Sequence, residues 1–205
     1  MAYQAVALDA MGVIYTNGDD LRQLLIPYLR TRGCQRTDEE LRQAYRACYR
    51  EGASVETLWD ATGLERARER FEDAYLGLYE LNSGVIDFLR EMRAQRVPVY
   101  GLSNDIAEWS VKRRRLHGLD DFFAGWVISS DIRATKPDAR IFRQLLGQLK
   151  CPPADCVFVD DRVENLDGAR AAGLTSTMLF GTIEKVSSHV SVANFEELAA
   201  LVRNR

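Results

Sequence analysis

The sequence predicts an α/β protein, a three-layer Rossmann-like parallel sheet carrying a small inserted helical subdomain. Apolar runs of strand length recur along the chain, helical patterns lie between the later ones, and one long N-terminal stretch is helical throughout. A chain of 205 residues accommodates one such core with about 60 to 70 residues to spare.

The first strand is expected at Ala5–Leu8, four apolar residues in a row, as in a parallel strand buried on both faces. No strand-like run follows between residues 17 and 82. There Leu21, Leu24, Leu25, Tyr28 and Leu29 fall at helical spacing, and Gly33, Gly52 and Gly63 mark plausible helix ends, giving three or four short helices. Strands are then expected at 97–102, 126–128, 157–159 and 175–180, with helices at 139–149 and 165–172 between the later ones and a closing helix at 195–202. Residues 1–16 and 83–205 thus form the core and residues 17–82 a helical cap. No internal repeat is visible.

Composition narrows the function. Hydrophobic residues at 46% and charged residues at 28% suit a globular protein, while a net charge of −3 and a pI near 5.5 lack the basic excess that nucleic-acid binding requires. The N-terminus has an Asp in its apolar run and no basic leader, so it reads as a buried strand and not a signal peptide, and no run approaches the ~20 apolar residues of a membrane span. Cysteines at 34, 48, 151 and 156 form no C-x-x-C pair, which points to a reducing cytoplasm, and His117 and His189 lack metal-ligand spacing. A cytoplasmic monomer or homodimer acting on a small molecule is the expectation.

In an open parallel sheet, ligands bind beyond the carboxyl ends of the strands. Four such ends carry reactive or phosphate-binding side chains: Asp9 in LDAMGVIY, Ser103 and Asn104 in YGLSND, Lys136 in ATKPDARIF, and Asp160 with Asp161 in VFVDDRVEN. Taken singly, a turn, a helix cap or a helix start explains each. The acidic doublet is harder to explain so, because adjacent carboxylates repel unless a cation or hydrogen-bond donors compensate them.

In this order the four sites resemble the motifs of the haloacid dehalogenase (HAD) superfamily, over residues 5–180. The surrounding wording is similar to the helical-cap branch, which includes sugar-phosphate phosphatases and the amino-terminal phosphatase domain of soluble epoxide hydrolase. The resemblance implies a magnesium-dependent phosphatase in which Asp9 attacks phosphorus and becomes an aspartyl phosphate. It implies that Asp9, the backbone carbonyl of Met11 and Asp161 hold Mg2+, with Asp160 and Asn165 acting through waters. Ser103, the backbone amide of Asn104 and Lys136 would take the phosphoryl oxygens, Lys136 also neutralising charge.

One motif departs from the family pattern. Most HAD phosphatases have a second Asp two residues after the nucleophile, which protonates the leaving alcohol and activates water; here the residue is Met11. Losing a general acid/base costs ~10² to 10⁴ in rate, least for leaving groups that depart as anions, so an activated or anomeric phosphate is the expected substrate. The alternative is an impaired HAD protein that binds a phosphorylated ligand or partner. A phosphotransferase or a haloacid dehalogenase fits less well, since dehalogenases replace the acidic doublet with neutral residues. In the cap, Arg42, Arg46 and Arg50 are spaced by four. Pairing with Asp38, Glu39 and Glu51 would make them a solvated stripe; otherwise Arg46 or Arg50 faces the substrate. Tyr45, Tyr49 and Trp59 read as cap core, and Tyr15, Thr16 and Asn17 lie where the family has a flexible flap beside the nucleophile, so that one of them could partly replace the missing acid.

Overall fold

The computed structural model describes residues 3–181 and 188–204; residues 1–2, 182–187 and 205, which the expected core segments include, lie outside the described residues. Six strands form one sheet in the order β3-β2-β1-β4-β5-β6, every neighbouring pair parallel. They are β1 (Ala5–Leu8), β2 (Val99–Ser103), β3 (Phe123–Ile128), β4 (Cys156–Asp160), β5 (Ser176–Phe180) and β6 (Val190–Val192).

Side chains alternate across this sheet into two apolar layers. Ala5, Ala7 and Phe158 pack with Ile141, Phe142 and Leu166 of helices α8 (Ala139–Gln148) and α9 (Val163–Ala171). Val6, Leu8 and Val159 face the layer built from α5 (Val85–Ala94), α6 (Ala107–Leu116) and α10 (Phe195–Arg203). Helices on both faces explain why β1, β2 and β4 are buried at every position.

Three details differ from the sequence expectation. β2 starts at Val99 because the Val97 amide ends α5 by bonding Met92 O and Pro98 has no amide. β3 starts at Phe123, ahead of the small residues Ala124 and Gly125 that interrupt its apolar run. β6 was not anticipated; it has three residues, one of them the exposed Val190, so its apolar signal is weak.

The expected helical stretch holds four helical segments. A π-wound turn (Leu21–Leu25) runs into α1 (Ile26–Thr31), and α2 (Asp38–Arg46) runs into a second π-wound turn (Ala47–Glu51). These are followed by α3 (Val55–Ala61) and α4 (Ala67–Leu76). Thr37 and Glu40 form a capping box at the start of α2. The chain turns at Gly33, Gly52 and Gly63 as expected, each with positive φ.

This helical insert shares an interior with the α5, α6 and α10 face of the sheet. Glu72 of α4, 3% exposed, accepts hydrogen bonds from the indole of Trp59 at 2.7 Å and of Trp109 in α6 at 2.9 Å, and pairs with Lys112. Arg113 of α6 pairs with Asp105 in complete burial, while its Nε and Nη1 have no hydrogen-bond partner.

Both connections to the insert pass through one neck. Thr16 N donates to Glu80 O at 3.0 Å, Tyr15 bridges Leu81, and Asn82 N donates to Ile14 O at 2.9 Å. The Asn82 side-chain amide also reaches the carbonyls of Val13, Gly12 and Tyr15, at 2.7, 3.2 and 3.3 Å. Among the described residues no helix is long and apolar enough to cross a membrane.

Candidate active site

The four predicted strand ends converge. Asp9 follows β1, and its amide extends the ladder to Val159 O at 2.9 Å, which fixes where its side chain starts. Asp9 Oδ1 accepts from the Ala10 amide and from Lys136 Nζ, both at 2.6 Å. Asp9 lines the cleft described below, and no described residue bonds its Oδ2, which leaves that oxygen for a ligand.

Lys136 also reaches Asp160 Oδ2, at 2.7 Å. Asp160 Oδ1 accepts from the Arg162 amide and from Asn165 Nδ2, each at 2.9 Å, so this carboxylate is fixed on both sides. Asn165 therefore bonds Asp160 directly. The Asn104 side chain holds the lysine's backbone: its Oδ1 accepts from Lys136 N at 2.7 Å and its Nδ2 donates to Lys136 O at 3.1 Å. Ser103 ends β2 in full burial, with an Oγ that has no hydrogen-bond partner.

The acidic cluster fits a divalent cation. One ligand oxygen each of Asp9, Asp160 and Asp161 lie within 4.8 Å of one another. Asp161 Oδ1 is buried without a hydrogen-bond partner, and its other oxygen is so tightly enclosed that a Cβ on Gly12 or Gly18 would collide with it. Three carboxylates face the Lys136 ammonium and, at 3.9 Å from Asp161 Oδ1, the half-exposed Arg162 guanidinium. Burial pushes Asp9 up to about 8, with Asp160 and Asp161 adding to the rise and Lys136 opposing it. Burial and Asp160 raise Asp161 to about 6. Burial works against the Lys136 ammonium, but Asp160 and Asp9 outweigh it and hold its pKa above the usual lysine value. A hard dication reverses the carboxylate shifts and supplies a partner for the orphaned oxygen.

A cleft of about 280 Å³ opens over Asp9. Its core side includes Asp9, Met11, Asn104, Lys136 and Asn165, and the insert contributes Asp20, Arg42, Tyr45, Arg46 and Tyr49. Ser103, Asp160 and Asp161 contribute no surface to it. Arg42 pairs with Glu39 at 3.3 Å, whereas no described residue pairs with Arg46.

Two expected substrate residues lie elsewhere. Arg50, inside the π-wound turn that follows Arg46, does not line the cleft. Tyr15 points into the interior, its ring 5.7 Å from that of Tyr79 and 5.6 Å from that of His117, so it is not a flap residue on the cleft. Burial pushes its hydroxyl up to about 12. Trp59 and Tyr45 are buried as expected, although Tyr45 and Tyr49 also form cleft wall. Sequence reasoning missed Arg162, whose Nη2 donates to Gly18 O at 2.7 Å, and Asp20, for which composition and spacing carried no signal.

A family model described as haloacid dehalogenase-like hydrolase matches residues 3–173, a span that holds every residue of this cluster. The chain belongs to the haloacid dehalogenase-like hydrolases. The chain is 31% identical over 103 residues to a sesquiterpene phosphatase of Aspergillus oryzae, covering 50% of this chain and 53% of the relative. It is 30% identical over 135 residues to a phosphoserine phosphatase of Thermus thermophilus, covering 64% and 54%. These matches span about half the length of the curated relatives. The HAD-hydrolase YfnB of Bacillus subtilis, solved with magnesium, superposes with a TM-score of 0.71 at 18% identity over 99% of this chain and 100% of that one, which shows the shared HAD fold.

Proposed function

We propose that this HAD-like hydrolase is a magnesium-dependent, cytoplasmic phosphatase of a small phosphorylated metabolite that works through an aspartyl phosphate. The observation that carries the reading is Asp9 itself, with one oxygen fixed by Lys136 and the Ala10 amide and the other facing the cleft. The two phosphatase relatives, from fungal and bacterial sources, support it. In this reading residues 17–82 are the cap.

Asp9, Asp161 and the Met11 carbonyl would hold the metal, with Asp160 in support; when bound, it offsets the negative charge of the phosphoryl oxygens. Lys136 keeps Asp9 oriented and adds a positive charge beside the reacting phosphorus. Ser103 and the Asn104 amide donate to phosphoryl oxygens. Asp9 Oδ2 forms the bond to phosphorus as the bond to the leaving oxygen breaks; water then cleaves the aspartyl phosphate and restores the carboxylate. Arg46 stands on the cap side, free to meet a polar or anionic part of the substrate.

Met11 offers no proton. The leaving group is therefore one that departs as an anion, as from an anomeric or acyl phosphate, or one protonated from elsewhere in the cleft. Met11 also favours a second reading, a protein that binds a phosphorylated ligand without turnover. Phosphate release from acetyl phosphate, hexose 1- and 6-phosphates and nucleotides, with magnesium or EDTA, separates the two. Magnesium-dependent turnover abolished by Asp9→Asn supports the phosphatase. Magnesium binding by a folded protein with no turnover on any of them supports the binding protein.

A further inference from the structure

The cleft contains one carboxylate that the proposed mechanism does not use. Asp20 lies two residues after Gly18, which packs against the Asp161 carboxylate and whose carbonyl is held by Arg162. Two residues of chain span at most about 7 Å, so Asp20 is tethered close to the acidic cluster. It is 7% exposed and lines the same cleft as Asp9. Its Oδ2 accepts from the hydroxyl of Tyr45 at 2.6 Å and of Tyr79 at 2.7 Å, and Tyr79 is bonded to the hydroxyl of Tyr75 at 2.6 Å. Burial and the Asp20 charge hold all three phenols well above their ordinary pKa, so they remain protonated donors. No described residue bonds Asp20 Oδ1. Asp20 thus shares the arrangement of Asp9, one oxygen clamped and the other left for the cleft, and its charge is felt by Arg113 and Asp105 in the interior.

We propose that Asp20 is the proton-transfer residue of this site, doing from the start of the helical insert what Met11 cannot do from the loop after β1. The proposal rests on the phosphatase reading. In the first step Asp9 Oδ2 bonds phosphorus, the ester P–O bond breaks, and Asp20, carrying a proton in this step of the cycle, gives it to the departing alkoxide, which leaves as the alcohol. In the second step Asp20, now a carboxylate, takes a proton from water as the water oxygen bonds phosphorus. The Asp9 P–O bond breaks, inorganic phosphate leaves, and both carboxyl groups return to their starting states. Tyr45 and Tyr79 are positioning residues for Asp20.

The test compares the full chain with Asp20→Asn, with magnesium, on p-nitrophenyl phosphate and glycerol 3-phosphate. Asparagine keeps an acceptor for both phenols but exchanges no proton. With the aryl ester, whose leaving group needs no protonation, Asp20→Asn is expected to release a burst of p-nitrophenol stoichiometric with enzyme, followed by a steady state slowed ~10² to 10⁴-fold. With the alkyl ester the burst disappears and turnover falls by a similar factor. Burst and steady state come from one preparation, so a merely unstable variant, which lowers both together, does not imitate this pattern. Asp9-dependent turnover that Asp20→Asn leaves unchanged, or lowers without a burst, overturns the assignment alone. Absence of Asp9-dependent turnover in the unmodified protein overturns the phosphatase reading and the assignment with it.

Discussion

Replacing Arg113 with Met removes the only cation paired with Asp105 among the described residues and leaves a carboxylate that is 1% exposed. Asp105 Oδ1 still accepts from the Ile106 amide and the Asp105 amide still donates to Ser129 Oγ, so the loop stays in place and the charge is stranded. Breaking a buried pair on one side costs about 3 to 5 kcal/mol, several times the ~1 kcal/mol of an exposed pair. Arg113 already leaves two of its own donors unpaired, so removing both charges with Arg113→Met and Asp105→Asn together is expected to recover most of that loss. Urea unfolding of the four members of this cycle measures the coupling, expected at 2 kcal/mol or more. Burial already raises Asp105, more than Arg113 can offset, and without Arg113 it rises further. A folded-state pKa above the unfolded value gives stability that is lost as pH rises, so Arg113→Met should cost less at pH 5 than at pH 8. Additive single effects, or a loss under about 1 kcal/mol independent of pH, would refute the reasoning.

The raised carboxylates of the metal site make magnesium affinity climb with pH. With Asp9 at about 8 and Asp161 at about 6, binding near pH 7 should release about one proton and affinity should gain roughly two orders of magnitude from pH 6 to 9, as calorimetry in buffers of different ionisation heat would show. Lys136→Met should abolish turnover and lower the melting temperature of the metal-free protein, with saturating magnesium returning part of that loss in a thermal melt. Glu72 has its pKa lowered because Lys112, Trp109 and Trp59 together outweigh burial. Its contribution is present above the unfolded carboxylate pKa and lost as pH falls through the lower folded value, so acid titration should change the fluorescence of Trp59 and Trp109, and Glu72→Gln should flatten that change. Met11→Asp in the Asp20→Asn background is expected to regain at least about tenfold in alkyl phosphate turnover, read as steady-state phosphate release.

Much of this was legible because parallel strands buried on both faces are written as plain apolar runs, and the reactive residues sit where those runs stop. Asp9, Asp160 and Asp161 meet because β1 and β4 are neighbours in the sheet, and Lys136 joins them through the Asn104 side chain that holds its backbone. The insert was legible as helices but not as a surface. Which of Arg42, Arg46 and Arg50 reaches the cleft depends on how their helix is set over the core, which helical periodicity does not announce. Asp20 gave no signal because its role depends on Tyr45 and Tyr79, 25 and 59 residues away, meeting one carboxylate oxygen. Tyr15 misled because its place beside the nucleophile suggested a flap, whereas its ring faces inward.

The neck at residues 14–16 and 80–82 bears on how the chain finds its fold. β1 and β2 are adjacent in the sheet, with Val6 opposite Val99, yet more than ninety residues of chain separate them. Closing a loop of that length is entropically slow, and parallel pairing brings no hydrogen bonds until the ends meet. Once Thr16, Tyr15 and Ile14 have paired with Glu80, Leu81 and Asn82, the insert hangs off the path between the two strands, and the segment left to close is little longer than an ordinary βαβ crossover. The neck thus moves the cost of spanning the insert into its own closure, after which β1 and β2 have only a short crossover left to close.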